Sequence, residues 1–238
     1  MHNERLNLAI SRLTGIGLAL VAVCSPAATL VVTSNNDSGA GTLRQSIATA
    51  TSGDTITFDP ALNGSVIALT SGQLVISNKN MTVQGPRPGL LAINGNGTDR
   101  VFLIQNTVAN ARYYVNINGL TITNGFASSA SAGGAAGGAI RTTTGGWNYY
   151  LTTTISNCIV RANKSTTSSY EGGGGICSGS TGDTMTLIDC EILDNSAISY
   201  GGGGVWARGG ITVLRCTFSG NKTSDNGAGL LVRGGTGV

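Results

Sequence analysis

The chain has 238 residues, 37 of them glycine, about twice the usual share. Charged residues make up 11%, aromatic residues 5% and the mean hydropathy is +0.15, which excludes a disordered solvating chain and a core built from large rings. Four prolines with no three-residue glycine period exclude collagen, and a net charge of +3, scattered along the chain, excludes a nucleic-acid partner.

Residues 1–27 read as a secretory signal. Arg5 and Arg12 give a positive start, Leu13–Val23 is an apolar run, and Ser25-Pro26-Ala27 offers small residues for cleavage. The run is shorter than the ~20 residues that cross a bilayer. Cys24 follows Val23 rather than a small residue, which argues against a lipid anchor. No later stretch reaches ~18 apolar residues, so no transmembrane segment is expected. The only histidine, His2, lies in the leader, so the mature chain has none.

Val31 and Val32 start a first strand. Leu43, Ile47 and Ala50 fall on one face of a short helix over 42–50, Gly53-Asp54 turns the chain, and Thr55–Phe58 is a second strand.

From there an internal repeat dominates. Three segments align on Cys158, Cys190 and Cys216. Each has an aliphatic residue three before the cysteine (Ile155, Leu187, Val213), an apolar residue two after it (Val160, Ile192, Phe218) and asparagine five after it (Asn163, Asn195, Asn221). Each is followed by a glycine block ending in an aliphatic residue: Gly173 to Ile176, Gly202 to Val205, Gly227 to Leu230. Upstream, Leu120 fills the cysteine slot and Gly137 to Ile140 the block; Met81 is assigned to the slot one repeat earlier. Short β-branched runs alternate apolar and polar residues, and no helical pattern separates them. The fold expected is all-β: a right-handed parallel β-helix, or solenoid, with a short N-terminal capping helix over its open end. Like residues of successive coils then stack about 4.8 Å apart. The cysteines are expected as a buried stack of free thiols and the asparagines as a turn ladder, since asparagine tolerates the left-handed conformation and its amides can bond along the stack. No C-terminal cap follows Leu230–Val232, so the chain reads as truncated there, with an outer-membrane anchor or sorting domain expected downstream. The organisation is a leader (1–27), an N-terminal strand and capping helix (28–60) and β-helix coils (61–238).

Gly41-Thr-Leu-Arg-Gln-Ser-Ile47 with Gly53-Asp-Thr-Ile-Thr-Phe58 resembles the N-terminal cap of bacterial surface β-helix proteins. Asn118-Gly-Leu-Thr-Ile-Thr-Asn-Gly125 resembles the pectin-lyase-like fold. The glycine blocks with Phe218-Ser-Gly-Asn221 are similar to the repeat of polymorphic outer membrane proteins, although Val160 and Ile192 stand where that repeat has phenylalanine. The resemblance spans residues 30–238 and implies a bacterial protein that is secreted or held at the cell surface or outer membrane. The fold hosts lyases, hydrolases, tail spikes and adhesins alike, so it does not choose an activity.

Asp189 and Glu191 flank the inward Cys190 and should both point outward. Arg215 holds the slot of Asp189 one coil later, so a surface ion pair is expected. The alternative is a calcium site at Asp189 and Glu191 with Arg215 as the base of a polysaccharide lyase. Trp206 and Arg208 are expected to alternate out of the coil, with Arg141 in the slot of Trp206 two coils earlier. An exposed aromatic among arginines suits a surface glycan or polysaccharide. Trp147, Tyr149 and Tyr150 sit in the loop of a longer coil, where solenoids vary and bind. The absence of Cys-x-x-Cys and of mature histidine argues against a zinc site, and no cofactor is expected beyond calcium for a lyase. The leading expectation is an exported, non-catalytic, adhesin-like or stalk module; the alternative is a carbohydrate-active enzyme of the same fold.

Overall fold

The structure is a computed structural model and describes residues 26–166, 171–198, 201–224 and 226–234. The leader through Ser25 lies outside the described residues. Among the described residues the strands form four sheets, parallel throughout. The first holds Thr29–Val32, Thr55–Phe58, Met81–Gln84, Arg112–Asn118, Tyr150–Ser156, Asp183–Ile188 and Gly210–Leu214. The second holds Ser65–Ala68, Leu91–Asn94, Thr121–Thr123, Ile159–Arg161, Glu191–Leu193 and Thr217–Ser219. The third holds Leu74–Ser77, Phe102–Asn106, Ile140–Thr144, Ile176–Ser178, Val205–Ala207 and Leu230–Val232. The fourth is a ladder of two-residue strands, Phe126–Ala127, Lys164–Ser165, Ser196–Ala197 and Lys222–Thr223. In each sheet, strand order follows chain order, so every repeat pairs with the next.

This register turns a repeat into a core. Ile155 pairs with Leu187 and Leu187 with Val213; Val160 pairs with Ile192 and Ile192 with Phe218. The inward aliphatics are fully buried until the last repeat, where Val213 and Phe218 are half-buried. Each such side chain stabilises the stack by about 1.5–3 kcal/mol. Cys158 and Cys190 are buried, Cys216 is half-buried, and all three are free thiols. Cys158 Sγ donates to Ser156 O at 3.1 Å and Cys190 Sγ to Ile188 O at 3.2 Å. Burial pushes the Cys158 thiol up to about 11 and that of Cys190 to about 12.

The asparagine ladder forms by one of the two reasons expected, amide bonding along the stack, and not by the other. Asn163 Nδ2 donates to Asn195 Oδ1 at 2.9 Å, and Asn195 Nδ2 to Asn221 Oδ1 at 3.0 Å. The left-handed residues are the ones just before them: Ala162, Asp194 and Gly220, at φ of 54°, 51° and 65°. Amide stacking, not backbone tolerance, selects asparagine here. The assignment of Met81 is also corrected. Register pairs Met81 with Val115 and Val83 with Ile117, so Met81 sits five residues before the cysteine slot. The glycine blocks are required by close approach: a Cβ on Gly174 would lie 2.4 Å from Gly203 O, and one on Gly203 2.6 Å from Ala228 O.

The single α-helix among the described residues is Leu43–Thr49. The Thr42 hydroxyl caps it by accepting from Gln45 N, and Leu43 and Ile47 are buried against the first strands of the first and third sheets. Its Arg44 binds Asp37 at 2.6 Å and also donates to the carbonyls of Gly72 and Gln73. The other Asp37 oxygen accepts from the backbone and hydroxyl groups of Thr70 and Ser71. Burial pushes the Asp37 carboxyl up, but Ser71, Arg44 and Thr70 outweigh it and hold it down at about 2.

Candidate binding cleft

The strands of the third sheet end in loops that lead to the first sheet. Three consecutive ends lie side by side: Thr143–Trp147, Gly179–Thr181 and Arg208. With Glu171 they line a cleft of about 390 Å³. The floor is hydroxyl and backbone, from Thr143, Thr144, Ser180 and Thr181, and the Ser180 hydroxyl accepts from Thr144 N at 2.9 Å. Glu171 is held by Arg141, Nη2 to Oε2 at 2.5 Å. Arg208 is exposed. Trp147 at the rim is 94% exposed. Its loop is braced, because the Tyr149 ring packs on Gly145 and Asn110 N donates to Asn148 O at 2.7 Å.

Beneath the cleft lies a buried polar node. Asp183 sits at an inward position of its strand, in line with Met185 and Leu187. The Thr142 hydroxyl donates to its Oδ2 at 2.7 Å. Burial pushes the Asp183 carboxyl up to about 6, against the opposing pull of Thr142, the Ser180 backbone and Arg141. Arg141 Nε, Thr144 Oγ1, Ser178 Oγ and Asp183 Oδ1 are buried without a hydrogen-bond partner among the described residues. Nearby, Arg100 is fully buried, and among the described residues its guanidinium has no carboxylate at hydrogen-bond distance. Its guanidinium donates to Gln73 Oε1 and to the carbonyls of Ala132, Gly134, Ala136 and Gly137, which pins that loop over the third sheet. Burial, then the charge of Arg141, lowers Arg100 to about 10.

The expected binding residues are therefore only partly brought together. Arg141 and Trp206 do share one row, Arg141 pairing with Cys177 and Cys177 with Trp206. Trp206, however, is not the exposed aromatic expected: it is 2% exposed and clusters with Ala136, Cys177 and Leu231. The row does face away from the apolar core, but the glycine segment preceding each strand folds over it. A Cβ on Gly202 would lie 2.9 Å from Trp206 Cβ. Arg141 is likewise buried, reaching the cleft only through Glu171. Arg208 and the exposed aromatic Trp147 both line the cleft. Glu171 and Asp183 were not singled out from sequence. The signal for Asp183 was present: an acidic residue in the apolar phase of Asp183-Thr-Met-Thr-Leu-Ile188.

Asp189 and Arg215 lie elsewhere, at the corner between the first and second sheets. They form a bidentate ion pair at 2.6 and 2.7 Å, open to solvent. Hydrogen bonding to Arg215 holds the Asp189 carboxyl below its ordinary value. Glu191 is exposed on the adjacent strand, and no group of three or more His, Cys, Asp or Glu side chains suited to a metal occurs among the described residues. Among the described residues no helix is long and apolar enough to cross a membrane. Comparison with protein-family models, with curated proteins and with solved structures finds no match.

Proposed function

We propose that the chain is an exported right-handed parallel β-helix module of a bacterial surface, which holds a glycan in the cleft without converting it. Four parallel ladders with one strand per repeat are the pattern a solenoid produces, and parallel crossovers are right-handed in nearly all known cases. The observation that carries the binding role is the cleft itself, with a hydroxyl floor, a fixed carboxylate, an exposed arginine and an exposed tryptophan at its rim. The lyase alternative rests on Asp189, Glu191 and Arg215, and there the guanidinium is already engaged by Asp189.

Two measurements test this reading. The chain expressed in a Gram-negative host should be exported and begin at Ala28, by mass analysis of the N-terminus. The mature protein should be retained on immobilised polysaccharide yet release no unsaturated product from polygalacturonate or alginate, with or without calcium. Ultraviolet absorbance of that product would establish a lyase instead.

A further inference from the structure

Resting on the binding reading above, we infer that the ligand of the cleft is a neutral saccharide, stacked on Trp147 and hydrogen-bonded between Glu171 and Arg208. The volume, about 390 Å³, lies within the range of small-ligand sites, ~300–1,000 Å³. A sugar ring offers an apolar face and a rim of hydroxyls that both donate and accept. Trp147 supplies the flat apolar platform, 94% exposed, on a loop whose backbone is braced on both sides of it. Glu171, fixed by Arg141, accepts from O–H donors, whereas Arg208 donates to hydroxyl oxygens.

Charge decides between neutral and acidic sugars. A carboxylate or sulfate near Arg208 would also lie in the cleft with Glu171 and be opposed by it. A hydroxyl pair uses both groups. Arg141 adds no free positive charge, since it faces Glu171 and, below, Asp183. A peptide adding to a sheet edge is disfavoured because the strand leading into the central loop, Ile176–Ser178, is already paired on both sides. A polynucleotide would need a longer run of cations.

The two tryptophans make the test direct. Trp147 is exposed and Trp206 is buried, so fluorescence carries a reporter and an internal reference. The mature chain would be titrated with cellohexaose, maltohexaose and mannohexaose, and with hexagalacturonate, each to roughly 10 mM, a range that still detects millimolar affinity. At least one neutral hexaose should shift emission to the blue and protect against acrylamide quenching. Calorimetry should then show Trp147→Ala weakening that binding by tenfold or more, with Glu171→Gln and Arg208→Ala each weakening it several-fold. Stronger binding of hexagalacturonate overturns the neutral class. Equal binding by wild type and Trp147→Ala overturns the site while leaving the binding reading intact. Failure of all four sugars, with no retention on polysaccharide, overturns both.

Discussion

Asp37 and Asp183 are each buried near an arginine and hydroxyl side chains, yet their carboxyls move in opposite directions. Asp37 ties the first helix to residues 70–73, and both its oxygens are hydrogen-bonded. Asp183 lies beneath the cleft with Oδ2 bonded to Thr142 and Oδ1 without a partner among the described residues. The N-terminal node is closed and holds the fold together. The node under the cleft carries a cost of desolvation that its hydrogen bonds do not offset, a departure from local consistency of the kind found at working sites.

The largest expected effect breaks that contrast at Asp183. Its carboxyl is raised in the folded state from 3.8 to about 6, so its contribution is full below 3.8 and is lost as pH rises through 6. The loss amounts to about 3 kcal/mol. In urea titrations, Asp183→Asn should flatten this fall and gain on the wild type from about pH 4 to about pH 6. A wild-type stability that rises over the same interval by the same amount would contradict the assignment.

Asp37 should show the opposite sign. Its folded value, about 2, lies below 3.8, so its contribution is present above 3.8 and is lost as pH falls toward 2. Asp37→Asn should cost about 2 kcal/mol at neutral pH and almost nothing near pH 2. Comparing denaturation midpoints of the two variants across pH separates the nodes.

The thiol ladder comes next. Cys190 Sγ already faces carbonyl acceptors at Ile188 and Ile155, 3.2 and 3.4 Å away. Cys190→Ser should therefore cost only about 1 kcal/mol in chemical denaturation, since the new hydroxyl keeps a partner. In native labelling with a thiol reagent, Cys216 should react before Cys158 and Cys190.

The smallest effect concerns Arg215, held at φ 51° while paired with Asp189. Arg215→Asn removes an exposed ion pair and relieves a left-handed arginine. These changes oppose each other, and calorimetry should find the melting temperature within ~2 °C of wild type.

Much of the fold was legible because stacking copies a slot from one repeat to the next. Cysteine, asparagine and glycine positions recur, and the register brings them together. Met81 was misplaced because the corner at Gly119 interrupts the alternation, so inward apolar residues recur on both sides of it and only pairing fixes which side a residue belongs to. Trp206 was read with the right parity but the wrong exposure, since what covers it is a glycine segment facing outward-row side chains, which nothing at Trp206 itself encodes. The cleft was half legible. Arg208 and the Trp147 loop stood out by residue type, whereas Glu171 became relevant only once Arg141 was seen beside it.

The asparagine ladder also dictates where this chain can change length. Five residues separate cysteine from asparagine in all three repeats, whereas 27 and then 21 separate each asparagine from the next cysteine. An insertion inside the five-residue spacing would put that repeat's asparagine out of line with its cysteine, so that the thiol and amide stacks could not both stay in register there. The same insertion past Ser165, Ala197 or Thr223 would fall between the fourth ladder and the third sheet and leave both stacks aligned. Duplication or grafting of repeats is therefore tolerated at junctions past the fourth ladder, after Ser165, Ala197 and Thr223, and the loops bordering the cleft are where such lineages can diverge in what they hold.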